Sequence, residues 1–169
     1  MHLIIDGYNL LHVSRSLIRL NPVQLQWERE RLIGQLSAYQ NVKPCRITIV
    51  FDGWHAGWTT EKRESLKGVE VIYSKLGEKA DEVIKRLVKE KGSGAIVITS
   101  DRDVARFAER MAVSVIPSEQ FRERIELPPA RFEENLEEEE EERGGVKKKG
   151  SSRRLSKKEK RARAALKKL

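Results

Sequence analysis

Short apolar runs alternate with longer stretches of helical spacing up to about Glu126. His2 to Ile5 is an apolar run that ends at Asp6-Gly7, which reads as a buried strand followed by a turn. Pro22 suits the first position of a helix. Leu25, Leu32, Leu36 and Tyr39 then recur at offsets of 7, 11 and 14, with Ile33 beside them, and Pro44 stops the stripe. Cys45 to Phe51 is rich in β-branched residues and ends in Asp52-Gly53; a loop bearing Trp54, His55, Gly57 and Trp58 follows. Val69 to Tyr73 predicts a third strand. Ala80, Val83, Ile84, Leu87 and Val88 predict an amphipathic helix stopped at Gly92. A fourth strand, Ala95 to Thr99, runs into Ser100-Asp101. A helix carrying Val104, Phe107, Ala108 and Met111 comes next, then a fifth strand from Val113 to Ile116, then a short helix from Ser118 to about Ile125. Strands alternating with helices predict an α/β fold with a central, mainly parallel five-stranded sheet covered on both faces. The nearly unbroken apolar character of the strand runs agrees with two covered faces.

This order gives the aspartates their meaning. Three strands end in one: Asp6, Asp52 and Asp101. Right-handed crossovers place the carboxyl ends of parallel strands on one edge, where open α/β sheets bind ligands. Asp81 opens the helix before the fourth strand and Asp103 lies just beyond Asp101, so either can reach the same rim. Two unit charges about 4 Å apart repel by about 4 kcal/mol at an effective dielectric near 20. Such a cluster is partly protonated, paired with Arg or Lys, or neutralised by a cation. Hard oxygen donors with open positions suit Mg²⁺ or Mn²⁺, which also bind phosphate oxygens and activate water. Each aspartate alone has a structural explanation: Asp-Gly turn chemistry at Asp6 and Asp52, helix capping at Asp101, first-turn charge at Asp81 and Asp103. Their shared topological position is what points to a site.

Composition sharpens the boundaries. Hydrophobic residues make up 38% and charged residues 36%, against about 25% charged in typical domains. The excess is concentrated at one end: Glu133 to Glu142 holds eight Glu and no basic residue, and Arg143 to Leu169 holds thirteen Lys/Arg and one Glu. The sequence therefore divides into a domain over 1–130, an acidic linker over 131–142 and a basic tail over 143–169. The single cysteine, Cys45, excludes an intramolecular disulfide and a cysteine-based zinc cluster. No apolar stretch approaches a membrane span, and Asp6 interrupts the first apolar run, so a cytoplasmic protein is expected.

Taken in order, Asp6-Gly7-Tyr8-Asn9-Leu10-Leu11, Val50-Phe51-Asp52-Gly53, Tyr73-Ser74, Gly77-Glu78, Ala80-Asp81-Glu82-Val83-Ile84 and Thr99-Ser100-Asp101-Arg102-Asp103 resemble the YacP group of NYN domains, relatives of PIN nucleases. The resemblance covers roughly 1–126. It implies a PIN-like three-layer sandwich and a metal-dependent endoribonuclease using Mg²⁺ or Mn²⁺, of a group associated with the ribosome and mRNA cleavage. By the same resemblance Asp6, Asp81 and Asp101 are metal-binding acids, Asn9 orients that site, Asp103 is a further acid for ligation or proton transfer, and Asp52 is an additional acid.

Other residues point to RNA. Arg15, Arg19 and Arg102 stand near the expected rim and can meet phosphates, or in the case of Arg102 pair with the acids themselves. Trp54, His55 and Trp58 can stack unpaired bases or fold onto the core. Ser156-Lys157-Lys158-Glu159 fits a capping box ahead of a helix in which Ala162, Ala165, Leu166 and Leu169 share one side. Lys157, Lys158, Lys160 and Arg161 would then face ribosomal RNA, although a tail that only aids solubility has the same composition. A noncatalytic RNA- or ribosome-binding module on this fold is the alternative function. Haloacid-dehalogenase-like phosphatases want Asp-x-Asp after the first strand and Toprim domains want Glu there; this chain has Asp6 and Tyr8. No glycine-rich phosphate loop follows the first strand, which argues against a nucleotide cofactor.

Overall fold

The computed structural model describes residues 1–14, 17, 20–53, 59–126, 157–166 and 169. The elements run β1 (His2–Asp6), α1 (Gly7–Ser14), α2 (Pro22–Val42), β2 (Arg46–Phe51), β3 (Lys62–Leu66), β4 (Val69–Tyr73), α3 (Ala80–Lys91), a short 3-10 turn, β5 (Ala95–Ile98), α4 (Arg102–Arg110), β6 (Ser114–Ile116), α5 (Ser118–Glu126) and α6 (Lys157–Leu166). The strands form one six-stranded sheet in the order β3-β4-β2-β1-β5-β6. All neighbouring pairs are parallel except β3 with β4.

Alternation along each strand sorts the core into two layers. Leu3, Ile5, Ile49, Phe51, Val71, Ile96 and Ile98 face one side, packed with Leu10, Leu32, Leu36, Tyr39 and Phe121 of α1, α2 and α5. Ile4, Val50, Ile72 and Val97 face the other, packed with Val83, Ile84 and Leu87 of α3 and Val104 of α4. Helices cover both faces, as the apolar strand runs required.

The sheet has one strand more than the sequence pattern predicted. β3 reads Lys-Arg-Glu-Ser-Leu, with no apolar alternation to reveal it, and it holds its place by antiparallel pairing with β4. Lys67 and Gly68 join the two at φ +52° and +82°, the mirror-image turn that matches the twist of a two-residue hairpin. α1 was also hidden, because Asp6-Gly7 looks like a turn. In the structure the chain enters a helix directly at Gly7, and Asp6 Oδ1 accepts the Asn9 N–H at 3.1 Å as its cap. A side chain at Gly7 would collide with the Phe51 ring, 2.3 Å from where its Cβ would stand.

At α2 the signals were complete. Pro22 opens the helix, and Asn21 and Gln24 exchange side-chain-to-backbone bonds in a capping box. The tail also contributes to the core. α6 packs against β6, Ala165 and Leu169 are buried, and the Tyr39 hydroxyl donates to the Leu169 carbonyl at 2.6 Å. The apolar side expected of this helix thus meets the domain's own core. Among the described residues, no helix is long and apolar enough to cross a membrane.

Candidate active site

β1 passes onward to α1 and α2 on one face of the sheet, while its neighbour β5 passes to α4 on the other. The carboxyl ends of these two strands are therefore the switch point where an open α/β sheet has its crevice. Strand alternation carries Asp6 to the same side as Ile4, Asp52 to that of Val50, Ser74 to that of Ile72 and Thr99 to that of Val97. All four fall on the α3–α4 face, beside the first turns of both helices.

Hydrogen bonds fix this rim. Thr99 Oγ1 donates to Asp6 Oδ2 at 3.2 Å and accepts the Asp101 N–H at 3.1 Å. Asp101 Oδ1 caps α4 by accepting the N–H groups of Asp103 and Val104 at 2.8 and 2.9 Å. Asp52 Oδ1 accepts the first N–H of α3, at Ala80, at 2.8 Å and lies 3.4 Å from the Ser74 hydroxyl. Gly53 donates its N–H to that hydroxyl at 3.0 Å, and a Cβ there would stand 1.8 Å from the Ser74 carbonyl oxygen. Three rim aspartates thus bind the N-terminal ends of three helices, whose dipoles favour negative charge. Capping at Asp101 is compatible with a role in a site.

Asn9 joins the layers. Its Oδ1 accepts the Ser100 N–H and the Ser118 hydroxyl, both at 2.9 Å. A backbone N–H can only donate, so the amide oxygen is the atom facing it. Ser100 Oγ in turn accepts the Ser118 N–H at 3.0 Å and donates to Glu119. Thr99, Ser100, Ser118 and Glu119 carried no assignment in the sequence. Thr99-Ser100 precede a rim acid and Ser118 follows Pro117, but their partners lie too far along the chain for spacing to reveal them.

Electrostatics singles out three acids. The Asp6 carboxyl is raised to about 6, chiefly by burial and also by the negative charges of Asp81 and Asp101, against the lowering bonds from Asn9 and Thr99. Asp81 is raised by burial, then by Asp101 and Asp52, while Lys85 and Lys79 pull it down. Asp6, Asp81 and Asp101 therefore lie within mutual reach. Asp103 does not join them: its side chain is 83% exposed and lies 4.0 Å from Arg106. Arg102 is exposed at the first residue of α4. Lys160 and Arg161 are exposed on α6, where Lys157 and Lys158 are also helical. Arg15, Arg19, Trp54, His55 and Trp58 lie outside the described residues.

Among the described residues no three His, Cys, Asp or Glu side chains form a ligand group as they stand. The donor chemistry nevertheless fits Mg²⁺ or Mn²⁺. The donors are hard oxygens that repel one another across the rim, and these ions bind through one or two carboxylates while keeping several waters.

A family model described as the YacP-like NYN domain matches residues 3–168. The chain belongs to the YacP-like NYN domain family. Its match therefore extends past the rim acids and takes in α6. A relative from Bacillus subtilis (strain 168), described as uncharacterized protein YacP, is 34% identical over 87 residues, which is 52% of this chain and 51% of that relative. The match spans about half the length of this curated relative. A crystal structure of Rae1 (YacP) from Bacillus subtilis resembles the fold with a TM-score of 0.62 at 28% identity, covering 85% of this chain and 84% of that one. A mutant of Rae1 gives a TM-score of 0.62 at 23% identity, covering 89% and 87%. The NYN domain belongs to a nuclease superfamily.

Proposed function

We propose that this NYN-domain protein is a metal-dependent endoribonuclease that cuts mRNA, working with the ribosome in the cytoplasm. One observation carries this: Thr99 bridges Asp6 and the backbone of Asp101 at the ends of β1 and β5, and the buried Asp6 carboxyl is raised by the charges of Asp81 and Asp101. Asp6, Asp81 and Asp101 would hold Mg²⁺ or Mn²⁺. When bound, such an ion neutralises phosphate charge and makes a water more acidic for in-line attack on a phosphodiester.

The protein's own groups supply the preorganisation. Thr99 bonds Asp6 and the backbone of Asp101 at once, so the two carboxylates keep a set separation. Asn9 ties the turn after β1 to the turn after β5 and to α5, which prevents the rim from spreading when substrate charge arrives. Asp52 anchors the start of α3 and so places Asp81. Asp103, facing solvent, would take a proton at the outer side of the rim rather than hold the ion. Arg102 and the basic residues Lys157, Lys158, Lys160 and Arg161 of α6 would meet RNA phosphates, and Arg15, Arg19, Trp54, His55 and Trp58 remain proposed RNA contacts on sequence grounds.

The absence of a preformed three-residue ligand group among the described residues favours a second reading, a noncatalytic RNA-binding module. Calorimetry with Mn²⁺ separates the two. About one equivalent should bind the wild type and none should bind Asp101→Asn, which keeps its cap because Asn caps as well as Asp. Incubated with RNA or translating ribosomes and Mn²⁺, the wild type should cleave, and Asp6→Asn and Asp101→Asn should lose about 10²-fold or more of that rate. Undiminished cleavage by either folded variant would remove these acids from the mechanism, and no cleavage by the wild type on ribosomes would leave the binding module.

A further inference from the structure

Lys75-Leu76-Gly77-Glu78-Lys79 links β4 to α3 at the acidic rim. The backbone closes a β-turn there, with the Glu78 N–H donating to the Lys75 carbonyl at 3.0 Å. Gly77 takes φ +82° at the third position, which glycine adopts without strain. Glu78 is turned inward onto Arg86 at 2.8 Å, and Arg86 is also paired with Glu61. Ala80, two residues beyond the turn, donates its N–H to Asp52 Oδ1 at 2.8 Å. Just before the turn Ser74 donates its N–H to the Phe51 carbonyl at 3.0 Å, so both ends of the turn are held, and its one acid is already engaged.

Lys75, Leu76 and Lys79 remain on the outside, all exposed. Lys62 and Lys85 are ion-paired with Glu64 and Glu82, whereas neither Lys75 nor Lys79 has an ion-pair partner among the described residues. Lys79 lies within electrostatic reach of Asp81 without pairing with it. Exposed, unpaired cations on a braced turn beside a carboxylate rim are available to an anion that is brought there.

We propose that Lys75 and Lys79 are a phosphate clamp that holds the RNA backbone against the rim and fixes the nucleotide beside the scissile bond. This role presupposes the endoribonuclease activity proposed above. A polyanion approaching several carboxylates is repelled, so its path needs fixed positive charge. Lysine meets phosphate as a point charge, and phosphate contacts set position and register rather than sequence. A turn braced by Glu78–Arg86 and by Asp52 sets those charges in place before RNA arrives, so little ordering is left to do on binding.

The test measures binding of a fluorescent single-stranded oligouridylate against salt concentration, in EDTA so that no cleavage occurs. It compares wild type, Lys75→Gln/Lys79→Gln and a control, Lys89→Gln/Lys91→Gln, which removes the same charge at the far end of α3. Losing two phosphate contacts should shrink the slope of log K against log salt by about 1.4. The control should keep the wild-type slope, and Lys75→Arg/Lys79→Arg should restore it. Single-turnover cleavage by the Gln pair with Mn²⁺ should fall at least about tenfold at subsaturating RNA. An unchanged slope in the Gln pair, an equal loss in the control, or no RNA binding by the wild type would overturn the clamp. Wild-type cleavage with an unchanged Gln-pair slope sinks the clamp alone. Lysine-dependent binding without cleavage on any RNA or ribosome sinks the nuclease and with it the positioning role at a scissile bond, leaving Lys75 and Lys79 as RNA contacts alone.

Discussion

Asp6 bears the largest electrostatic load of the rim, because it is 7% exposed and faces two other acids. Its folded-state value of about 6 stands above the ordinary 3.8, so the native state holds more protons than the unfolded state between those values. Stability without divalent ions should therefore fall as pH rises from about 4 to about 6 and stay reduced above that. Two pKa units correspond to about 3 kcal/mol, an upper bound after relaxation. Asp6→Asn should relieve much of this: urea denaturation in EDTA at pH 7.5 should show a gain of about 1–3 kcal/mol, vanishing near pH 4, while cleavage is lost. Mn²⁺ should stabilise the wild type and not this variant. A loss of stability at pH 7.5 would mean the carboxylate is worth more as a cap than it costs as a charge. Asn9→Ala should cost about 1–3 kcal/mol by leaving the Ser100 N–H and the Ser118 hydroxyl without their acceptor. These residues differ in how far the sequence disclosed them. Asp6 and Asp101 stand at strand ends and announce a rim, whereas Ser118 meets Asn9 from 109 positions away, and no local pattern encodes that.

Periodicity disclosed most of the elements that bury apolar side chains, and no others. α2, α3 and α4 each turn a stripe toward the sheet, and β1, β2, β4 and β5 are apolar on both faces. β3 has no buried face to pattern, since backbone pairing and the hairpin turn hold it. Lys67 in that turn stands at φ +52°, where asparagine or glycine is favoured and where the familiar Asn-Gly signal is missing. Lys67→Asn should stabilise the fold by about 0.5–1 kcal/mol, read as a raised urea midpoint with unchanged slope. An unchanged midpoint would mean that the bond from the Ser37 hydroxyl to the Lys67 carbonyl, 2.7 Å long, already offsets the strain. α1 escaped notice for the opposite reason. Its Asp-Gly start has the chemistry of a turn, and only the burial of Leu10 and Leu11 shows that the chain continues as a helix.

Across the whole molecule, charge segregation marked the tail but concealed that its end belongs to the core. Thirteen basic residues in 143–169 draw the eye to RNA, yet Ala165 and Leu169 are buried beside Tyr39 and Phe121. Leu169→Ala should cost about 2–3 kcal/mol and Tyr39→Phe about 1 kcal/mol, measured by denaturation in the absence of RNA. No loss in either would mean that α6 is not needed for stability. The position of β1 has a further consequence, for folding rather than for the folded state. This strand is almost wholly apolar and pairs with β2 on one side and with β5 on the other, His2 lying opposite Ala95. One of its edges thus stays open during synthesis until most of the domain has been made. Pairings so distant in sequence make folding slow, and an uncovered apolar strand edge is where nascent chains find wrong partners. The same placement that brings Asp6 beside Thr99 leaves the newly made chain exposed until β5 arrives.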